Sequence, residues 1–388
     1  MTLESNFPHD ERVEKEAISL NNAGHEVHLL CYTKSHEVSL EIWNDIYIHR
    51  FQINKWLYKS SALSLQFPFY FRKWEKEITI LLKEFSFDII HIHDLPLIRS
   101  VLNLKKQFQF KTILDLHENW PVLMKMAAFS SKFPVNILFS YQAWLKYEYK
   151  WAKEADGVIT VIEEAKERLI KLGLDPNKIR VVSNTIRLES FHASDHPIKS
   201  DTFKMIYSGG VNEHRGLQIV IKAIAILKNK GVKIHLNIVG GGNYMESIKE
   251  MAKSLGVSEQ FIDLGWKSFQ EMMNHIATAQ ILIIPHLKSE HTDATIPNKL
   301  FQYMYAQKPL IVSDCTPLKR IVEQENAGMV YKDLDENDLA EKLLMIYENY
   351  DQYLALSMKN KIRVEEKYNW QVEENHLINL YHSVLKTN

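Results

Sequence analysis

The chain has 388 residues, of which 46% are hydrophobic and 24% charged, and its formal net charge is −1. This length favours two domains over one, and the balanced charge gives no basic stripe of the kind that nucleic-acid-binding proteins carry. The two cysteines, Cys31 and Cys315, are far apart in sequence, which is typical of a reducing compartment without a disulfide framework. There is no apolar run of 18 residues and no signal peptide in the first residues, so we expect a cytoplasmic protein.

In the first half of the chain, short apolar runs alternate with helical patterns, as in parallel α/β layers. A helix marked by Val13, Ala17 and Leu20 ends at Gly24, and strand-like runs follow at 26–32, 46–51, 88–93, 112–117, 157–161 and 181–182. Only Met1–Ser5 is available before this helix for a first strand. We therefore expect that strand to be very short or missing, and a missing strand would expose an edge of the sheet.

The second half repeats the same alternation after a polar segment at 189–202, which is the predicted linker. Strands are predicted at 203–208, 234–239, 261–264, 281–285, 310–313 and 329–331, with helices at 216–228, 244–255, 269–278 and 297–306. The pattern indicates two doubly wound domains, residues 1–195 and 196–365, with ligands at the carboxyl ends of their strands. A last helix within 366–388 is expected to return to the first domain.

The segment from Asp293 to Asp314 combines a tight loop, Pro297 and an apolar strand. Proline is favoured in the first turn of a helix because its missing N–H would be unpaired there. The remaining free amides and the helix dipole attract an anion, so we predict a phosphate-bearing ligand at this helix start. Lys299 fits two interpretations equally well: an exposed helix residue or a partner of the phosphate.

Two glycine turns follow predicted strands. In the first, Gly209 and Gly210 precede Arg215, and these residues indicate either close approach of the backbone to a ligand or a plain turn with a solvated arginine. In the second, three glycines at 240–242 resemble a dinucleotide fingerprint, but Met245 occupies the third glycine position. A dinucleotide oxidoreductase is therefore not favoured.

Taken in order, these segments resemble the retaining glycosyltransferases called family 4 or group 1. The N-terminal half resembles that family in FPHDERVEKEAISLNNAGHEVHLLC, DIIHIHDLP, LDLHENW and ADGVITVIEEAKERLIKLGLDPNKIRVVSNTI. The C-terminal half resembles its donor-binding domain in YSGGVNEHRGLQIVIKAIAIL, LNIVGGGNYMESIKEMAKSLGV and PNKLFQYMYAQKPLIVSD. The resemblance implies the α/β GT-B fold, in which two Rossmann-like doubly wound domains face a central cleft.

The resemblance also implies roles for individual residues. Arg215 matches the basic residue that clamps the nucleotide diphosphate, and His117 matches a histidine near the reacting sugar. Without the resemblance, the alternative for His117 is a solvent-edge histidine, and Trp266 is equally a packing residue. Further implied donor-binding residues are Gly209, Gly210, Gly241, Trp266, Thr295, Ile296, Asn298, Lys299 and Gln302, and the expected acceptor-side residues are His93, Asp94 and Glu118.

The chain departs from the family pattern at several of these positions. The family often has two glutamates eight residues apart that contact donor sugar and ribose, where this chain has Ala294 and Gln302. Asp293 and Glu290 are candidates for the space that Ala294 leaves. Gly210 stands where a second basic residue is common, which suggests a weaker or different grip on phosphate.

The function implied is transfer of a sugar, with retention, from a nucleotide-diphosphate sugar to a glycan or lipid-linked glycan in surface polysaccharide biosynthesis. No cofactor, metal or nucleic acid is expected. Asp333 and Asp335 have the spacing of manganese ligands in other glycosyltransferases, but we expect a solvated turn or a helix cap. Two alternatives stay open: a nucleotide-sugar-binding protein without turnover, and a GT-B epimerase that acts on the donor itself.

Two aromatic and basic stretches, Trp56–Trp74 and Phe139–Trp151, suit a lipid headgroup interface. The alternative is that they are helix faces packing on the sheet with charged rims. Peripheral contact with the inner face of the membrane is therefore a further expectation.

Overall fold

The structure is a computed structural model that describes residues 1–8, 10–34, 39–126, 139–191 and 202–386. It contains two compact units: unit 1 is Met1–Asn184 with Glu373–Asn388, and unit 2 is Thr185–Val372. The divisions at Thr185 and Glu373 differ from the boundaries at 196 and 366 that polar composition suggested. The carbonyl of Ile186 accepts a hydrogen bond from the amide of Trp370 (2.8 Å), which ties both segments into unit 2.

Unit 1 contains an eight-stranded sheet in the order β3-β4-β2-β1-β5-β6-β7-β8. All neighbours are parallel except β3 and β4, and the sequence patterns missed β3. The strands are β1 Thr2–Leu3, β2 His28–Thr33, β3 Leu40–Trp43, β4 Ile46–Gln52, β5 Ile89–His93, β6 Lys111–Leu116, β7 Gly157–Thr160 and β8 Ile179–Val181.

The first strand is two residues long and lies between β2 and β5. Thr2 pairs in parallel with Leu30 on one side and with Ile92 on the other. The expectation of a very short first strand is confirmed. Strand order reverses at β1, so the carboxyl ends of β1 and β5 form the place where doubly wound sheets bind ligands.

The helices of unit 1 cover both faces of this sheet. They are α1 Glu11–Asn22, α2 Lys55–Ser60, α3 Phe69–Glu84, α4 Ile98–Leu104, α5 Trp120–Met126, α6 Tyr141–Ala152 and α7 Glu163–Lys171. Asp10 caps α1 by accepting hydrogen bonds from the amides of Arg12 and Val13. This cap fixes the start of a helix whose inner face carries charged residues described below.

Unit 2 contains a six-stranded parallel sheet in the order β11-β10-β9-β12-β13-β14, and order reverses between β9 and β12. Its strands are β9 Phe203–Ser208, β10 Ile234–Val239, β11 Phe261–Gly265, β12 Ile281–Ile284, β13 Leu310–Ser313 and β14 Met329–Tyr331. Its helices are α8 Leu217–Asn229, α9 Met245–Ser254, α10 Phe269–Ala277, α11 Lys299–Tyr305, α12 Thr316–Gln324, α13 Glu336–Glu348, α14 Tyr350–Ser357 and α15 Asn360–Lys367.

The last helix, α16 Trp370–Lys386, runs into unit 1, where it packs on the sheet. A Cβ atom built on Gly157 of β7 would lie 3.0 Å from Val384 and 3.1 Å from Leu380. The hydroxyl of Tyr381 lies 2.7 Å from Nδ1 of His91. No helix among the described residues is long and apolar enough to cross a membrane.

Substitution of Leu380 by alanine is expected to destabilise unit 1, because this fully buried side chain would leave a cavity over Gly157. The loss is about 2–5 kcal/mol in the free energy of unfolding. The melting temperature measures it, and Leu385→Ala on the exposed side of the same helix is the matched control. Equal melting temperatures for the two variants would contradict the packing of α16 on the sheet.

Candidate active site

The turn after β9 is built around Lys299. Gly209 has φ +123°, and a Cβ atom there would lie only 2.8 Å from Nζ of Lys299. That ammonium donates a hydrogen bond to the carbonyl of Ser208 and lies 4.0 Å from the ring centre of Tyr207. The Tyr207 hydroxyl in turn donates to the carbonyl of Gly210 (2.8 Å). Lys299 therefore points at the glycine turn instead of lying along an exposed helix face.

Helix α11 is anchored so that Lys299 stays there. The hydroxyl of Tyr303, one helical turn after Lys299, accepts a hydrogen bond from the amide of Ser208 (2.8 Å). Lys299 and Tyr303 are spaced i and i+4, so they share the helix face that meets the end of β9.

Arg215 ends a short turn, Glu213–Arg215, that leads into α8. The next residue, Gly216, has φ +72°, and a Cβ atom there would overlap the carbonyl oxygen of Pro285 at 1.7 Å. Only glycine allows the chain to approach β12 this closely. As a result, Nη1 of Arg215 lies 3.1 Å from Nε2 of His286, two residues after β12.

The basic side chains of Lys299, Arg215 and His286 lie close together, and no carboxylate among the described residues balances them. Burial lowers the pKa of Lys299 well below its usual value, and Arg215 lowers it further. Burial and the same two cations hold the pKa of His286 well below its usual value. Among the described residues, no carboxylate forms an ion pair with Arg215 or Lys299, and Nε of Arg215 is buried without a hydrogen-bond partner. The geometry fits a bound anion.

The loop before α11 adds donors of another kind. Helix α11 begins at Lys299 with Asn298 at its N-cap, so the prediction of Pro297 in the first helical turn was wrong. The helix has seven residues, and the segment from Thr295 to Pro297 before it is extended or irregular. In the described part of the chain, the amides of Thr295 and Ile296 have no hydrogen-bond acceptor. They offer hydrogen-bond donors without a long helix dipole.

The second glycine turn packs directly against the first. The carbonyl of Gly241 accepts a hydrogen bond from the amide of Val211 (3.0 Å). A Cβ atom on Gly241 would lie 3.0 Å from the indole nitrogen of Trp266, so the indole covers this turn. Because Trp266 is 72% exposed, it is a surface aromatic beside the turn and not a core residue.

The positions that depart from the family pattern are not replaced by nearby acids. Ala294 is buried, and Oδ1 of Asp293 accepts the amide of Thr316 (2.7 Å), so that carboxylate caps α12. Glu290 is exposed, and Gln302 is partly buried on α11. The Asp293 carboxylate is therefore already engaged, and Glu290 lies at the surface.

In unit 1, His93, Asp94 and His117 lie together at the carboxyl ends of β5 and β6. His117 donates from Nε2 to Oδ2 of Asp115 (2.8 Å), and Nδ1 of His93 lies 3.2 Å from the same nitrogen. Burial alone would lower the pKa of His117, but attraction to Asp115 and Asp94 outweighs it and raises the pKa to about 9. Nδ1 of His117 has no partner among the described residues, so a protonated ring can donate to a ligand from that side.

Asp115, two residues before His117, is the centre of this cluster and was missed in the sequence. Arg12 donates to both of its oxygens (2.9 and 3.1 Å), and its Nε lies 3.0 Å from Oε1 of Glu16. Burial would raise the pKa of Asp115, but Arg12 and His117 hold it well below its usual value. Burial, then Asp115, raises the pKa of Glu16 to about 8. The only sequence signal was a charged pair, i and i+4, on the inner face of α1.

Four buried side chains of unit 1 have potential metal ligands within 4.8 Å of one another: Glu16, His91, His93 and Asp115. The guanidinium of Arg12 already contacts both carboxylates, and His117 donates to Asp115. These cations neutralise the acids that a metal ion would need, so the cluster fits a hydrogen-bonded network better than a metal site.

The remaining acceptor-side and acidic residues have simpler places. Glu118 lies in the turn between β6 and α5, partly buried. Asp335 caps α13 by accepting the amides of Asn337 and Asp338, and Asp333 accepts the amide of Lys288 (3.0 Å). The expected helix cap is confirmed at Asp335.

Comparison with known proteins supports the interpretation of both units. Residues 12–190 match glycosyltransferase family 4, and residues 189–363 match glycosyl transferases group 1. This chain belongs to the group 1, family 4 glycosyltransferases. The match covers all the candidate residues described above.

Individual relatives are distant. The amylovoran biosynthesis glycosyltransferase AmsK of Erwinia amylovora is 24% identical over 53% of this chain and 51% of its own length. The capsular polysaccharide biosynthesis glycosyltransferase CapM of Staphylococcus aureus is 21% identical over 79% of this chain and 88% of its own. The chain thus aligns with about half of AmsK.

Solved structures establish the fold as GT-B. Sucrose-phosphate synthase from Thermosynechococcus elongatus superposes with a TM-score of 0.80 at 16% identity, over 99% of this chain and 95% of its own. HepE from Anabaena, solved with UDP, superposes with a TM-score of 0.75 at 12% identity, over 98% and 99%. At these identities the likeness concerns the fold of this family member.

The His117–Asp115 bond makes stability depend on pH. Because the folded pKa of His117, about 9, exceeds its ordinary 6.5, the stabilisation is complete below pH 6.5 and is lost as pH rises through 9. Its size is up to about 3 kcal/mol. The melting temperature of the wild type should exceed that of His117→Gln at acidic pH, and the gap should close above the folded pKa. A gap that does not change with pH would contradict the ion pair.

Proposed function

We propose that this protein transfers a sugar from a nucleotide-diphosphate sugar to a glycan acceptor. One observation carries the proposal: Arg215 and Lys299 converge at the switch point of unit 2 without a carboxylate partner among the described residues. Half-buried cations without a counterion are costly, and a diphosphate supplies the missing negative charge. A neutral ligand would not supply that charge.

The donor is held mainly by its diphosphate. Arg215 and Lys299 neutralise charge as the nucleoside diphosphate departs, while the amides of Thr295 and Ile296 donate to its oxygens. Trp266 stands beside the glycine turns as a surface on which a nucleotide base can stack. Asn298, Gln302 and the glycines at 209, 210 and 241 complete the proposed donor residues. That HepE was solved with UDP-glucose supports this class of donor.

His117 is proposed to hydrogen-bond the transferred sugar. Its Asp115 bond and pKa of about 9 keep the ring protonated at neutral pH, so it acts as a hydrogen-bond donor and not as a general base. His93, Asp94 and Glu118 are the proposed acceptor-side residues. Transfer with retention and without a metal ion is proposed from the family resemblance alone.

The acceptor is proposed to be a glycan or lipid-linked glycan in surface polysaccharide biosynthesis, at the cytoplasmic face of the membrane. The roles of AmsK in amylovoran biosynthesis and of CapM in capsular polysaccharide biosynthesis support this pathway class.

Incubation of the purified chain with a panel of nucleotide sugars and glycan acceptors tests the proposal. Acceptor-dependent release of nucleoside diphosphate with formation of a larger glycan is the expected result. Tight donor binding without release would instead indicate a binding protein, which Ala294 and Gln302 keep open. An altered sugar in the absence of acceptor would indicate an epimerase.

Replacing Arg215 by alanine, or Lys299 by methionine, is expected to reduce donor turnover roughly tenfold or more, because each removes a cation that faces the leaving group. The matched control is Lys230→Met, an exposed lysine at the end of α8. Steady-state release of nucleoside diphosphate is the measurement. Unchanged turnover in both site variants would remove them from the donor site.

Replacing Gln302 by glutamate is expected to tighten donor binding several-fold, since a charge-assisted bond to ribose exceeds a neutral one by about 1 kcal/mol. Titration calorimetry with the donor measures the affinity. An affinity equal to that of the wild type would place Gln302 away from the ribose.

A further inference from the structure

The aromatic residues between Trp56 and Trp74 divide into two sets. Tyr70, Phe71 and Trp74 are buried in the core of unit 1, as the helix-face alternative requires. A second set is exposed and forms what we call the aromatic patch: Trp56 (65% exposed), Tyr58, Phe67 and Phe69 (46%).

The patch is continuous across two helices. Trp56 lies in α2, which buries none of its residues, and Phe69 is the first residue of α3. Their ring centres are 5.7 Å apart, within the usual contact range, so the two aromatics share one surface. Helix α2 thus contributes exposed apolar area and little to the core.

The segment that carries the patch has charges of one sign. The segment from Gln52 to Trp74 contains no acidic residue. Lys55, Lys59 and Arg72 are exposed, and among the described residues no carboxylate pairs with them. Lys34, also exposed, lies 3.5 Å from the ring centre of Tyr58. Exposed aromatics beside unpaired cations are the composition that partitions into an anionic headgroup layer.

The second aromatic stretch, Phe139–Trp151, does not have this character. Trp144 and Tyr147 are buried, and Tyr147 donates a hydrogen bond to the carbonyl of Pro96 (2.6 Å). Tyr149 is the exposed aromatic of that helix. The stretch is therefore mainly a core-facing helix.

We propose that the aromatic patch, with Lys34, Lys55, Lys59 and Arg72, docks unit 1 on an anionic lipid bilayer. The cations attract the headgroups, and the aromatic rings enter the boundary between headgroups and acyl chains. The patch belongs to unit 1, and the proposed donor residues Arg215 and Lys299 belong to unit 2. Membrane docking therefore stands or falls separately from donor binding.

Co-sedimentation of the full chain with vesicles tests the docking surface. The wild type is expected to bind phosphatidylcholine vesicles that contain phosphatidylglycerol, to bind pure phosphatidylcholine weakly, and to dissociate as salt is raised. The charge variant Lys55→Gln/Lys59→Gln should bind about 25-fold more weakly, at about fivefold for each cation. The aromatic variant Trp56→Ser/Phe69→Ser should bind the same vesicles with an affinity that is lower by roughly tenfold or more.

Matched controls remove similar groups elsewhere. Lys230→Gln/Lys253→Gln removes two exposed lysines of unit 2, and Tyr149→Ser/Tyr347→Ser removes two exposed aromatics outside the patch. All variants should keep the melting-temperature shift that uridine diphosphate induces in the wild type, since the donor site is untouched.

Three outcomes would overturn the proposal. In the first outcome, the wild type would not co-sediment with anionic vesicles. In the second, the patch variants would bind these vesicles as tightly as the control variants do. In the third outcome, the wild type would form a dimer in sedimentation analysis that the patch variants dissociate, which would assign the surface to a second copy of the chain.

Discussion

The structure of unit 2 depends on one electrostatic constraint: Arg215 acts on the neighbouring cation Lys299, and no carboxylate among the described residues pairs with either. Gly216 lets the chain pass against β12 so that Arg215 reaches His286, and Gly209 leaves the space that Lys299 fills. In a folded protein alone this arrangement is unfavourable, as the lowered pKa of Lys299 indicates. It becomes favourable when an anion binds, so in the proposed reaction the same two cations both bind the donor and stabilise the departing diphosphate.

Unit 1 has the opposite electrostatic arrangement. Its buried charges are already paired, because Arg12 and His117 share Asp115 while Glu16 has a pKa near 8 that favours its neutral form at pH 7. Such a network fixes the orientation and the protonation of His117 without a bound ligand. Tyr381 joins the cluster through His91, so the last helix of the chain contacts the same network. In the proposed reaction, unit 2 binds the negatively charged diphosphate, and unit 1 holds the proton on His117.

Most of the fold was predictable because buried parallel strands are apolar runs that need no distant partner to be recognised. Strands such as Phe203–Ser208 and Leu310–Ser313 were predicted with their bounds, and the short first strand was expected. The exposed strand Leu40–Trp43 lacked this signal. Arg215, Lys299 and His117 were singled out through motifs, whereas Asp115 was missed because its contact with Arg12 joins residues 103 positions apart. The nearby pair of Arg12 and Glu16 looks like an ordinary helix ion pair in the sequence. Helix α11 begins at Lys299, two residues after the predicted start at Pro297, which lies in the loop before it.

A crystal structure of the chain with a nucleoside diphosphate tests the central claim most directly. The account predicts phosphate oxygens within about 3 Å of both the Arg215 guanidinium and the Lys299 ammonium, with the Lys299 bond to Ser208 lengthened or replaced. A nucleotide bound elsewhere, or one whose phosphates point to solvent while Lys299 keeps its bond to Ser208, would contradict it.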